Sequence, residues 1–300
     1  MIRISREHYT YYYDRNNEPV ATVSVGDQVI FETLDCWGDQ LKTDKDRVDS
    51  INMSYMNPNT GPVFVEGAEP GDILVVKILD IKCEDHGVLA LIPNEGVLQQ
   101  YVKAPITKIV EIKDGKTIFS DELVIENKPM VGTIGTTPVG RIPTGLIGDH
   151  GGNMDCPAVR IGSTLYLPVF VHGALLQMGD VHANMGDGEI CIGVECGAEV
   201  IVEIADIIKD RCIPSPMIET DENWYTTANA PVLEEAIRIA TKRMADFLSE
   251  KLGISLEDAT FLISIVGNVR ISQAAQAGYD VAVHVEFPKY VDQRGRLSSF

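Results

Sequence analysis

EPGDILVVKI, residues 69–78, reads as a tight turn at Pro70-Gly71-Asp72 followed by a run of Val, Ile and Leu too short for a helix. VSVGDQVIFET, residues 23–33, repeats the order apolar, Gly-Asp, apolar, although the match is too short to establish an internal repeat. Outward from these two segments the first two thirds of the chain keep the same habit. Runs of strand length at Thr22–Val25, Gln28–Phe31, Ile73–Ile81, Thr107–Ile112, Leu165–Val171 and Glu199–Ile208 are separated by Gly, Pro, Asn and Asp.

The character changes after Asn229. Pro231 suits a first helical position, and Leu233, Ile237, Ala240, Met244 and Phe247 or Leu248 recur at helical spacing up to Gly253, predicting an amphipathic helix over 231–252 with Leu233, Ile237 and Met244 buried. Ser255 with Asp258 has the form of a capping box, opening a second helix with Ala259, Leu262, Ile263 and Val266 on its apolar face and Gly267 at its end. Val281–Phe287 predicts a last strand. No linker composition divides the chain, so the expected fold is α+β and β-rich, with packed β-sheets and a helix pair in the C-terminal third. The expected organisation is one unit over 1–300, with a β-rich part at 1–228, a helical segment at 229–267 and a final strand at 281–287.

Composition is that of a globular protein: 45% hydrophobic and 23% charged residues over 300 positions, mean hydropathy +0.02. A formal charge of −19, from 44 acidic and 25 basic residues, repels nucleic-acid phosphates and anionic membranes, so neither is an expected partner. The start MIRISREHYT has none of the features of a secretory leader, and no apolar run approaches membrane-spanning length, which makes a cytoplasmic protein the expectation. Six scattered cysteines without a C-x-x-C pair read as reduced thiols, and Cys36 and Cys156 as inert ones.

Residues 145–200 hold His150, His172 and His182 with seven acidic residues in a glycine-rich setting. Asp180 and His182, like Asp187 and Glu189, are two apart, and on extended backbone such a pair projects from one face and can grip one ion. Imidazole with carboxylate suits zinc, while carboxylates with carbonyls suit calcium or magnesium. Asp beside Gly also makes plain β-turns, which is the competing reading for Asp149, Asp187 and Asn153. His172, after an apolar strand, reads as a hydrogen-bonded core histidine. In FETLDCWGDQ, residues 31–40, Asp35 is the acid singled out, and the Tyr9 to Tyr13 run is expected to form core or a subunit contact.

GDHGGNMD (148–155), PVFVHGALLQMGDVHANMGDGE (168–189) and GVECGAEV (193–200) together resemble the acetamidase/formamidase family. FETLDCWGDQ, EGAEPGDILVVKI (66–78) and ISIVGNVRISQ (263–273) extend the likeness over essentially the whole chain. The length is that of the shorter, acetamidase-like members.

The resemblance implies hydrolysis of a small linear amide of the acetamide or formamide class to carboxylate and ammonia, at a divalent metal with zinc favoured and calcium as the second candidate, in a homo-oligomer. It implicates Asp155, Asp180, His182, Asp187 and Asp35 as ligands and Glu195 or Glu189 as the proton-carrying carboxylate. His150 is given no ligand role. Gly151, Gly152 and Asn153 are expected to meet the substrate, since glycine lets backbone approach a ligand closely. A cation would polarise the carbonyl and lower the pKa of water. The alternatives are covalent catalysis by a carboxylate or thiol, and a non-catalytic β-rich binding module built on a structural cation.

Overall fold

A computed structural model describes residues 1–274 and 280–300. The two Gly-Asp segments adopt the same turn. Asp27 Oδ2 accepts the backbone N–H of Ser24 and Asp72 Oδ2 that of Glu69, both at 2.8 Å, and the N–H groups of Asp27 and Asp72 return to the carbonyls of Ser24 and Glu69. Each aspartate thus closes the turn ahead of its own strand. The strands that follow, Gln28–Thr33 and Ile73–Cys83, lie on either side of Ala198–Ile208 and pair antiparallel with it.

These three strands sit in a nine-stranded sheet. It runs in the order Ile2–Ile4, Gln28–Thr33, Ala198–Ile208, Ile73–Cys83, Thr164–Pro168, Met217–Glu219, Asn223–Ala230, Val281–Pro288 and Asn268–Gln273. A second, twelve-stranded sheet contains His86–Leu91, Glu195–Cys196, Leu176–His182, Met130–Gly135 and Gly151–Asn153 as consecutive neighbours, with Asn59–Val65 also bonded to Leu176–His182. Val29, Phe31, Val76, Ile78, Val131, Met178, Val181, Val200 and Val202 are fully buried in one continuous apolar cluster, as strands of β-branched residues packed face to face require. The β-rich α+β class expected from the sequence is the observed one.

The helices cover the far end of the nine-stranded sheet. Helix α1, Leu233–Leu252, begins two residues after Pro231 and stops at Gly253, whose φ of +64° forms the left-handed cap. Its buried face is Ala236, Ala240, Met244, Ala245, Phe247, Leu248 and Leu252. Leu233 and Ile237 lie at the edge of that face and are half-buried rather than buried as expected, because the small Ala236 and Ala240 let the helix lie close to the sheet. Helix α2, Leu256–Val266, opens with Ser255 Oγ accepting the N–H of Asp258 at 3.1 Å. Two expected strands are shorter than read, ending at Val23 and Pro168. Asn268–Gln273 forms an unforeseen edge strand against Val281–Pro288. Among the described residues no helix is long and apolar enough to cross a membrane.

Met244 is fully buried where α1 meets strands Asn223–Ala230 and Val281–Pro288. Met244→Ala should lower the unfolding free energy by about 2–5 kcal/mol in chemical denaturation, with turnover per folded molecule unchanged. Lost turnover at unaltered stability would remove α1 from its scaffold role.

Candidate functional site

His182 ends strand Leu176–His182 directly opposite Glu195 in the antiparallel register, so the two side chains meet as a cross-strand pair, His182 Nε2 to Glu195 Oε1 at 2.7 Å. Asp180, two residues earlier, lies on the same side with Oδ1 3.8 Å from the imidazole. Asp155 follows strand Gly151–Asn153, and Glu189 arrives on the loop after Gly188. Asp155, His182 and Glu189 each offer one ligand atom within 4.8 Å of the others, and Cys36, Asp180 and Glu195 form a second such group. Four carboxylates and one imidazole thus converge, all buried.

Neutral donors hold this arrangement. Gln273 Nε2 donates to Asp155 Oδ2 at 2.6 Å and to Glu189 Oε2 at 2.9 Å. Thr133 Oγ1 lies 2.5 Å from Asn153 Oδ1 and 3.2 Å from Asp180 Oδ2, and Asn57 Nδ2 reaches the same two oxygens at 3.3 and 3.4 Å. Among the described residues no Lys or Arg bonds to any of the four carboxylates. Asp155 Oδ1 and Glu195 Oε2 are buried without a hydrogen-bond partner. Buried anions without cationic partners are costly, and the orphaned oxygens are the form that cost takes here.

The protonation equilibria respond accordingly. Burial, reinforced by the neighbouring Glu189, Asp180 and Glu195, pushes Asp155 far above the ordinary carboxylate range. Burial and Glu189 do the same to Glu195. Burial raises Asp180 to about 7 against the pull of His182, and raises Glu189 too. Asp35 is lifted by burial to about 6.

The backbone is as unusual as the charge. Asp155, Asp180 and Glu189 have φ of +41°, +57° and +35°, left-handed values that cost about 1–3 kcal/mol each for non-glycine residues and cluster at functional sites. Room for the two aspartates comes from Gly132. A Cβ there would stand 2.5 Å from Asp155 Oδ1 and 2.8 Å from both Oδ2 and the carbonyl oxygen of Asp180.

Asp155, Asp180, His182, Glu189 and Glu195 therefore come together, with Asn153 beside them. Asp187 does not. Gly188 with φ +98° and Glu189 with φ +35° break the extended geometry that would have kept Asp187 and Glu189 on one face, and Asp187 turns outward to Arg270 Nη1 at 3.2 Å. Asp35 is buried but binds the N–H of Asp39 through Oδ1 at 2.8 Å and belongs to neither ligand group.

Gly151 and Gly152 answer to the protein itself, since Cβ atoms there would lie 2.4 Å from the Ile134 carbonyl oxygen and 2.2 Å from that of Leu146. His172 is exposed and bonded to Glu69 at 2.9 Å, not a core histidine. His150 is buried against the Tyr13 ring at 4.5 Å between centroids, and burial lowers its pKa to about 4. Burial also raises the Cys36 thiol, helped by Glu195, and raises Cys156 to about 12, so neither is a thiolate. Asn57, Thr133, Gln273 and Gly132 escaped the sequence reading. The approach to the cluster is a cleft of about 430 Å³ to which Glu189 and Asn57 contribute, walled by Tyr11, Trp37, Met56, Ile92 and Ile192 among others.

The model of the Acetamidase/Formamidase family matches residues 6–146 and 142–289. A crystal structure of an acetamidase from Bacillus halodurans superposes with a TM-score of 0.93 at 40% identity, covering 97% of this chain and 98% of that one. The formamidase of Methylophilus methylotrophus is 26% identical over 252 residues, 64% of this chain and 62% of the relative. The acetamidase of Mycolicibacterium smegmatis is 27% identical over 257 residues, 63% of each chain. The matched region thus spans somewhat under two thirds of the length of these curated relatives.

Two measurements check the site. Gly132→Ala should sharply reduce both bound divalent cation and turnover while far-UV circular dichroism stays native, because the added methyl meets two carboxylates and one carbonyl. An unaffected variant would show the cluster to be looser than described. Asp180 and Asp35, with folded pKa values of about 7 and about 6, bind protons more tightly folded than unfolded. Their contribution is therefore full below the unfolded value of about 4 and is lost as pH rises through 6 to 7. In chelator, unfolding free energy should fall from pH 4 to pH 7, and saturating divalent cation should remove the part owed to Asp180 while leaving the part owed to Asp35. Stability rising with pH in chelator would contradict it.

Proposed function

We propose that this chain, which belongs to the acetamidase/formamidase family, is an amidohydrolase that splits the C–N bond of a linear amide, giving carboxylate and ammonia, at the buried carboxylate cluster. The observation that carries the reading is the convergence of Asp155, Asp180, His182, Glu189 and Glu195, with Glu189 lining a cleft, in a chain whose relatives are named acetamidase and formamidase.

A divalent cation fits the residues present. The donors are mixed carboxylate and imidazole, two buried carboxylate oxygens have no partner, and one ligand group spans no more than 4.8 Å. Atoms about 2.1 Å from a common ion lie within about 4.2 Å of each other, so small side-chain adjustments close the site. Asp155 and His182, from the group that also contains Glu189, would hold the ion together with Asp180, whose Oδ1 lies 3.8 Å from the imidazole, zinc before calcium, and the chemistry supplied is Lewis acidity at the amide carbonyl and a lowered pKa of water.

The chain's own groups do the rest. Glu189 is the carboxylate of the cluster that also lines the cleft, so it is the one positioned to take a proton from attacking water and hand it to the departing nitrogen. Burial raises its pKa, the direction that makes a carboxylate a stronger base. Gln273 fixes Glu189 relative to Asp155 through its shared amide nitrogen, and Glu195 Oε1 and Asp180 Oδ1 both face the Nε2 of His182. Closure of the site by surrounding β-structure keeps bulk water from screening these charges.

Purified protein assayed for ammonia release from small amides, with metal analysis of the same preparation, tests the proposal. Glu189→Gln should lower kcat by about 10²–10⁴ while keeping bound cation. His182→Ala and Asp155→Asn should lose cation and turnover together. Full cation content and near-normal turnover in His182→Ala would overturn the ligand assignment, and a cation-loaded protein releasing no ammonia from any amide would point to a structural cation in a binding module.

A further inference from the structure

The cleft is larger and more apolar than formamide or acetamide needs. At about 30 Å³ per molecule of liquid water, a volume of about 430 Å³ corresponds to about fourteen waters, several times what acetamide with its single methyl displaces. Trp37, Met56, Ile92 and Ile192 on its wall belong to a small apolar cluster, with Cys36, Leu41 and Val88, that is separate from the main core. The wall is therefore backed by packed side chains and not by a flexible fringe. Toward solvent it continues through Met53, about half exposed, which also lines the cleft. Polar residues line it too, and of these Asn57 and Glu189 are the two that join the carboxylate cluster.

A polar reacting end joined to an apolar wall is the layout of a site that reads an apolar substituent, whereas selection of the smallest amides requires a cage that excludes larger ones. Resting on the amidohydrolase reading above, we propose that the substrate is a primary amide whose acyl group is apolar and extends several carbons beyond a methyl, as a pentyl or benzyl group would. The carboxamide sits at Glu189 and Asn57, and the acyl chain lies along Trp37, Met56, Ile92 and Ile192. The reaction balances as simple hydrolysis. Water adds oxygen to the acyl carbon, the C–N bond breaks, and the nitrogen leaves as ammonia with the proton carried by Glu189.

The experiment is a kcat/KM series of cation-loaded protein on acetamide, butyramide, hexanamide and phenylacetamide, reading ammonia and carboxylate together. The expected result is a rise of about fourfold for each methylene that becomes buried, reaching well over tenfold at hexanamide. In Met53→Gln and Ile192→Gln the ratio of hexanamide to acetamide should fall toward one. Met53 is half exposed, which keeps the first of these variants a test of binding and not of folding. Highest kcat/KM on acetamide, declining with chain length, overturns this proposal and leaves the amidohydrolase reading standing. An unchanged ratio in both variants also overturns it, since the chain would then lie elsewhere. Release of ammonia from no amide of any length overturns both.

Discussion

Four buried carboxylates share a space with one imidazole and, among the described residues, with no lysine or arginine. Repulsion at such separations, in a medium that screens poorly, cannot be ignored by the rest of the fold. It is met in part by the uncharged donors Asn57, Thr133 and Gln273, and burial first, with the neighbouring carboxylates adding to it, pushes Asp155, Asp180, Glu189 and Glu195 toward the protonated form. Two oxygens still lack partners. A site that is electrostatically incomplete on its own is well matched to a divalent cation, because the same repulsion that burdens the isolated protein becomes affinity when positive charge arrives.

Holding such a cluster takes rigid surroundings. His182 and Glu195 are fixed by strand register, Thr133 and Gly132 by the neighbouring strand, and Asn153 by the next. Asp180 holds left-handed backbone within its strand, while Asp155 and Glu189 hold it with their carboxylates fixed by Gln273. The absence of a side chain at Gly132 is as much a part of the site as the side chains present, since any other residue would occupy the space of the two aspartates.

Much of this was legible from sequence, for reasons that differ by element. Strands such as Gln28–Thr33 and Ile73–Cys83 announce themselves by β-branched runs after Gly-Asp turns, and α2 by Ser255 and Asp258. Asn268–Gln273 was missed because its alternation is short, with only Val269 and Ile271 apolar, and Val269 at this sheet edge is exposed. In the site, Asp180 and His182 do meet as a spacing of two on a strand suggests, although Asp180 itself has φ of +57°. The same rule failed for Asp187 because it presumes extended backbone, and Gly188 bends the chain between Asp187 and Glu189. Asn57, Thr133 and Gln273 carry no signal of their own. Neutral amides and hydroxyls are common, and only the tertiary fold brings these three distant positions to the acids.

Gln273 has a consequence for cooperativity. It terminates the strand that follows the helix pair, and Ala274 N–H and the Ser272 carbonyl bond to Gly188, next to Glu189. Arg243 of α1 also reaches Asp149, close to the Gly151–Asn153 strand. The strand after the helix pair, α1 and the surroundings of the carboxylate cluster are thus joined by direct hydrogen bonds and an ion pair. Whatever fills the cluster is felt as added rigidity in a strand at the opposite edge of the molecule's sequence, and local opening of that edge loosens the grip on Asp155 and Glu189. Occupancy of the site and order in the C-terminal layer are linked through these contacts.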